Sequence, residues 1–232
     1  MHPATVNNTE HLIEFQAIGK EYKVGDTTVQ AIRQMDFFID DGEFVGIMGQ
    51  SGSGKSTLLA ILGGLNHPSR GRVLLDGLDI YGLSSEQRAD LRSEYLGFVF
   101  QSFQLIPYLT VLENIKLPMA ITGVAAKKQD EMAMAVLARV GLADKTSRLP
   151  DQLSGGEQER VAIARAIVNN PPILLADEPT GNLDSATAEE ILSLLHQLNR
   201  EGQTIIMVTH NPEACCHATR TILVKDGTCT VQ

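Results

Sequence analysis

Gly49-Gln50-Ser51-Gly52-Ser53-Gly54-Lys55-Ser56 fits the spacing G-x-x-x-x-G-K-[ST] without a mismatch. Before it stands Phe44-Val45-Gly46-Ile47-Met48, a near-continuous apolar run of the kind that forms a strand covered on both faces. After it, Thr57 to Leu62 reads as a helix, stopped by Gly63-Gly64. A strand, a glycine loop and a helix in that order make a cradle for phosphate. Glycine lets the backbone wrap tightly, so its N–H groups point inward at phosphate oxygens. The helix N-terminus adds positive partial charge. Residues 49–57 are therefore the candidate nucleotide-binding set: Gly49, Gln50, Ser51, Gly52, Ser53, Gly54, Lys55, Ser56 and Thr57. Lys55 supplies a full positive charge to the β- and γ-phosphates, the Ser56 hydroxyl is a candidate Mg²⁺ ligand, and Thr57 lies near the α/β end.

Such a loop needs a second acid for the metal. Ile173-Leu174-Leu175-Ala176-Asp177-Glu178 supplies four apolar residues and then two carboxylates. If both belong to a strand, alternation points them in different directions. Asp177 is then the metal candidate, directly or through water, and Glu178 the general base or water-positioning group. Further strands are expected at Leu12–Phe15, Val29–Ile32, Arg72–Gly77, Gly97–Phe100 and Ile205–Val208, with helices at Lys127–Val140, from near Gly155 to Asn169-Asn170, and at Ala186–Asn199. Thr110 with Glu113 and Ser154 with Glu157 have capping-box spacing. The tail from Ile222 to Val231 reads as a hairpin turning at Asp226-Gly227. Strands alternating with helices imply a mainly parallel α/β sheet, and the strand-poor middle, about residues 85–170, implies an inserted helical subdomain.

Composition narrows the function classes. The chain has 232 residues, 43% hydrophobic and 20% charged, a globular balance with ample length for a buried core. Its formal net charge of −9 repels phosphate backbones, so nucleic acid is not an expected partner. The longest apolar run, Met132 to Ala138, has seven residues, and a membrane-spanning helix needs about 20. Residues 1–10 carry neither a basic start nor an apolar stretch, so they read as a flexible tail rather than a signal peptide. Cys215, Cys216 and Cys229 make a poor disulfide framework, and Cys215-Cys216-His217 matches no zinc spacing.

Leu153-Ser154-Gly155-Gly156-Glu157-Gln158-Glu159-Arg160 resembles the LSGGQ signature of ATP-binding-cassette (ABC) ATPases, with Glu157 where the commonest form has Gln. Ser154 and two glycines open a helix there, a second anion site built on a helix N-terminus. The resemblance implies that Ser154, Gly155, Gly156 and Glu157 contact the γ-phosphate of ATP held by another subunit, in a head-to-tail homodimer closed through ATP and Mg²⁺. Further elements match in order. Tyr22 resembles the aromatic that stacks on adenine, Gln101 the Q-loop glutamine that binds Mg²⁺ and the attacking water, Asp184 of Asn182-Leu183-Asp184 the D-loop aspartate, and His210 the switch histidine that holds the γ-phosphate. The implied fold is a P-loop NTPase of the ABC ATPase type: a mainly parallel sheet, an antiparallel β subdomain and an inserted helical subdomain. It forms a single domain over residues 11–231, with its core at about 11–84 and 171–231.

The stretches Gly97 to Asn114, Leu153 to Arg160 and Asp177 to Asp184 are similar to the lipoprotein-releasing and macrolide-export branch, the MacB/LolD type. That branch implies a separate transmembrane permease with a large extracytoplasmic domain, a periplasmic adaptor as a further partner, and a place on the cytoplasmic face of a bacterial inner membrane. Phe103 to Tyr108 fall where the family's permease inserts a coupling helix. A regulatory or cell-division ATPase that transports nothing shares nearly all these motifs and is the alternative the sequence leaves open.

Overall fold

A computed structural model describes residues 11–231, so the expected tail at 1–10 lies outside the described residues. The chain divides into two compact units. One contains the residues up to Asp90 and from Val208 onward; the other runs from Leu91 to Met207.

In the first unit, β1 (Ile13–Val24) and β2 (Thr27–Ile39) pair antiparallel as a long hairpin. β3 is Phe44–Met48, α1 Lys55–Leu62, β4 Arg70–Leu75 and β5 Leu78–Asp79. Near the C-terminus, α7 (Pro212–Cys215) is followed by β9 (Arg220–Lys225) and β10 (Thr228–Val231). The strands lie in the order β5-β4-β1-β2-β10-β9-β3. β4 is antiparallel to β1 and β5, and β10 to β9, whereas β3 runs parallel to β9 and β10 parallel to β2. The sheet is therefore mixed, with an antiparallel side and a parallel side. Phe44, Val45 and Ile47 are almost fully buried, which is why this strand reads as a continuous apolar run. Phe15 and Phe37, paired across β1 and β2, stack with ring centroids 4.3 Å apart. Asp226 and Gly227 both adopt left-handed φ, 50° and 75°, as a two-residue type I′ hairpin turn requires.

In the second unit, β6 (Leu96–Val99) runs parallel to β7 (Ile173–Asp177), pairing Leu96 with Ile173 and Val99 with Ala176. β8 (Thr204–Thr209) neighbours β7, and α2 (Ser85–Tyr95), like β8, crosses from one unit into the other. The helices are α3 (Val111–Ile121), α4 (Ala126–Arg139), α5 (Gly155–Ile167) and α6 (Ser185–Arg200). Both expected capping boxes form, Thr110 with Glu113 on α3 and Ser154 with Glu157 on α5. Ile115, Met119, Leu137, Val161, Ile163 and Leu174 are fully buried; each such side chain stabilises the core by roughly 1.5–3 kcal/mol relative to exposure. Residues 85–170 hold α2, α3, α4 and α5 but also β6; residues 85–90 belong to the first unit and the rest to the second, which extends to Met207.

Candidate active site

The first unit carries the glycine loop between β3 and α1. Gly54 sits at the N-cap of α1 with φ 105°, and a Cβ there would lie 2.4 Å from the Ala31 carbonyl oxygen, so only glycine closes this turn. Lys55 is 5% exposed, and its Nζ donates to the Gly49 and Gln50 carbonyls at 2.8 and 2.9 Å. The ammonium thus lies within the curl of the loop rather than out in solvent. The Ser53 hydroxyl is buried and has no hydrogen-bond partner in the structure. A buried hydroxyl without a partner is costly; here it lies in the loop beside a lysine ammonium, a donor set that fits phosphate oxygens. Tyr22 projects from β1, 36% exposed. Its hydroxyl accepts from the Asn66 side-chain amide, and Lys20 Nζ stands 5.0 Å from the ring centroid. His210 is exposed immediately after β8, and the next residue, Asn211, donates its N–H to the Thr209 hydroxyl at 3.0 Å.

The second unit carries a separate group. β7 ends at Asp177, and Glu178 has φ 48°. The strand thus stops between the two acids, and Glu178 lies in a left-handed turn rather than at the next alternating strand position. Gln101, 77 positions away in sequence, brings its Nε2 to 3.5 Å from Glu178 Oε2. Asn182 donates its side-chain amide to the Gln101 carbonyl at 2.7 Å, and the Gly181 N–H donates to the Glu178 carbonyl at 3.0 Å. A Cβ on Gly181 would lie 3.1 Å from the Gln101 amide nitrogen. Gln101, Glu178 and the 181–182 turn thus form one cluster. Asn182 is its strut, a role that its place in the D-loop stretch does not reveal.

The signature forms the start of α5. The Ser154 side chain accepts the Glu157 N–H at 3.3 Å, and Glu157 Oε2 accepts the Ser154 N–H at 2.8 Å. That backbone bond, helped by the Ser154 hydroxyl and Lys145, holds the Glu157 carboxyl below its ordinary range. The N-terminus of α5 approaches that of α6 so closely that a Cβ on Gly156 would lie 2.3 Å from Thr187 Cγ2. Asp184 caps α6: its carboxylate accepts from the Thr187 hydroxyl at 2.6 Å and from the N–H groups of Thr187 and Ala186 at 3.0 and 3.1 Å, which lowers its pKa. Asp184 and Glu157 are thus both anchored in caps within one unit.

Between the Gln101 cluster and α3, Phe103 and Gln104 adopt left-handed φ of 59° and 50°. Arg165 of α5 donates to both carbonyls, at 2.8 and 2.5 Å. The buried Asn114 side chain donates to the carbonyls of Ile106, Leu109 and Thr110 and accepts the Ile106 N–H. This loop is pinned at its base and still presents Ile106 and Tyr108, 38% and 85% exposed. Beside it a groove of about 330 Å³ is lined by Phe98, Phe100, Leu117, Pro118, Ile121 and Arg165.

Among the described residues no three His, Cys, Asp or Glu side chains gather into a metal site. The expected Mg²⁺ ligands are one hydroxyl (Ser56), one amide (Gln101) and one carboxylate (Asp177). Ser56 belongs to the first unit, and Gln101 and Asp177 to the second.

The chain matches the ABC transporter family over residues 32–181. An uncharacterized ABC transporter ATP-binding protein of Thermotoga maritima is 47% identical over 216 residues, which cover 93% of this chain and 92% of the relative. The macrolide export ATP-binding/permease protein MacB of Syntrophobacter fumaroxidans is 48% identical over 219 residues, 93% of this chain but 31% of MacB. Among solved structures, the dimeric structure of MJ0796, a bacterial ABC transporter cassette, is similar with a TM-score of 0.86 at 43% identity, covering 93% of this chain and 95% of that one. A dimeric post-hydrolysis state of the same cassette, bound to ADP and Pi, gives 0.86 at 42% identity. The phosphate cradle, the capped signature helix and similarity running through nearly the whole chain have one reading: the chain belongs to the ABC transporter family, as an ABC ATPase cassette of the P-loop NTPase fold.

Proposed function

We propose that the chain is the ATP-hydrolysing subunit of a transporter of the MacB/LolD type, working as a head-to-tail pair of cassettes with a separate permease. The observation that carries this reading is the loop at 49–57, where a buried lysine ammonium and an unpartnered serine hydroxyl sit in a glycine cradle. Lys55 and the loop N–H groups bind the β- and γ-phosphates, and Tyr22 stacks on the base. Ser56, Gln101 and Asp177 would hold Mg²⁺, which would neutralise charge on the phosphates. Ser154, Gly155, Gly156 and Glu157 of a second copy close over the γ-phosphate, and Asp184 lies at the junction between copies. Glu178 orients the attacking water and takes up its proton, while His210 holds the γ-phosphate. Pairing two helix N-termini around one phosphoryl group in a site shut from water stabilises the charge that develops during transfer.

The permease contact is proposed for the loop at 103–108 and the apolar groove beside it. Both are exposed, and both are tied to α5 through Arg165, the helix that the signature opens. In this reading, movement at the signature reaches the permease through the Arg165 contacts to the 103–104 carbonyls. Among the described residues no helix is long and apolar enough to cross a membrane. A separate permease, a periplasmic adaptor beyond it and a place on the cytoplasmic membrane face complete the proposal. The division into a core at 11–84 and 171–231 and a helical subdomain at 85–170 is proposed on the same basis.

Steady-state phosphate release and nucleotide binding test the site. The parent chain is expected to hydrolyse MgATP; Glu178→Gln should bind ATP but fall to background turnover, about 10²–10⁴-fold lower, and Lys55→Ala should lose binding. Normal turnover by Glu178→Gln, or unchanged nucleotide affinity in Lys55→Ala, contradicts these roles.

A further inference from the structure

The signature of this chain carries a charge. Where the commonest signature has a neutral Gln, Glu157 places a carboxylate in the first turn of α5, with Oε2 2.8 Å from the Ser154 N–H. A helix N-terminus attracts anions, and here the helix already has its own. An incoming triphosphate would meet that carboxylate as a like charge, which raises the electrostatic cost of closure. The structure also holds a counterion for it. Lys145 Nζ lies 3.5 Å from Glu157 Oε1, the oxygen opposite the capping one, and 3.9 Å from Asp144. The loop bearing Lys145 is anchored on both sides. The Lys145 N–H donates to the Leu142 carbonyl and its carbonyl accepts from Arg148, both at 3.0 Å. The carbonyls of Thr146 and Arg148 accept the N–H groups of Leu112 and Val111, the free donors of the first turn of α3, at 3.0 and 2.8 Å. The ammonium is therefore delivered to the signature from a fixed base.

We propose that Lys145 is a positioning residue for ATP-driven closure: it neutralises the Glu157 carboxylate, so that the start of α5 can receive the triphosphate carried by a second copy of the chain. This rests on the composite-site reading above. It adds a residue that lies outside the signature and whose task exists only because residue 157 is acidic. Lys145 leaves the capping bond in place and cancels the repulsion that the acidic cap would otherwise direct at the ligand.

The test is a double-mutant cycle in the Glu178→Gln chain, reading the dimerisation constant with MgATP by sedimentation equilibrium at low and high salt. The expected result is that Lys145→Ala weakens ATP-dependent dimerisation about tenfold at low salt and less at high salt, that Lys145→Arg restores it, and that Lys145→Ala has no further effect when combined with Glu157→Gln. Thermal melts of each variant establish that it is folded. A Glu178→Gln chain that stays monomeric with MgATP overturns the composite-site reading, and this inference with it. A dimerising parent in which Lys145→Ala has no effect, or loses as much with Glu157→Gln as without it, overturns this inference alone.

Discussion

Glu159 is the least comfortable residue in the second unit. It is fully buried in α5, and neither carboxylate oxygen has a hydrogen-bond partner. Burial pushes its pKa up from 4.5 to about 8, against the opposing pull of Arg165. The unfolded chain therefore ionises this group near its ordinary value, while the folded chain keeps the proton to about pH 8. Between those limits the folded state binds more protons, so the contribution to stability is full below the unfolded pKa and is lost as pH rises through the folded one. Glu159→Met is expected to raise stability at pH 8 by roughly 1–3 kcal/mol and to flatten its decline between pH 5 and pH 8. Urea denaturation of both chains at several pH values measures this; parallel curves at every pH would contradict it. The burial of Glu159 follows helical spacing, since position 159 shares one face of α5 with the buried Gly156, Ile163 and Ile167. The proximity of Gln101 to Glu178 was legible only through the resemblance, which assigns both to the attacking water; 77 positions separate them, and no local pattern joins them.

Among the elements, those set by local rules could be read in advance. Both capping boxes and the Asp226-Gly227 turn form as their residues dictate. α1, α4 and α6 start and stop within two residues of expectation, because caps and glycines act locally. The β1–β2 hairpin was only partly legible. Only Leu12–Phe15 and Val29–Ile32 were expected as strand; the stretch between, from Glu21 to Thr28, is exposed and mostly polar, so no buried face marks it. The loop from 106 to 110 takes its shape from one buried asparagine, and no local pattern predicts that. Asn114→Ala removes four hydrogen bonds to that loop. Amide exchange at residues 106–110 should accelerate by roughly tenfold or more, as expected for loss of about 1–3 kcal/mol; unchanged protection would show that the loop is held by other means. At α3, Thr110→Ala removes the hydroxyl half of the capping box and should cost about 1 kcal/mol of stability, measurable by denaturant titration, with no loss counting against the cap.

For the whole molecule, similarity to dimeric cassettes and two separate glycine-bearing helix starts lead to one central claim: one chain holds two half-sites, and ATP joins complementary halves from two copies. A net charge of −9 sets two such chains against each other, so association is expected to depend on nucleotide and magnesium rather than on bare surfaces. Motifs in a fixed order along the chain made the class legible from sequence, because a phosphate cradle needs fixed residues at fixed spacing. The partner copy was legible only through resemblance, since nothing in the composition of one chain says that its signature serves another. The most direct test is the mass in solution of the Glu178→Gln chain by light scattering, with and without saturating MgATP. The account predicts 25.2 kDa without nucleotide and twice that mass with it; a mass that stays at the single-chain value under saturating MgATP would contradict it.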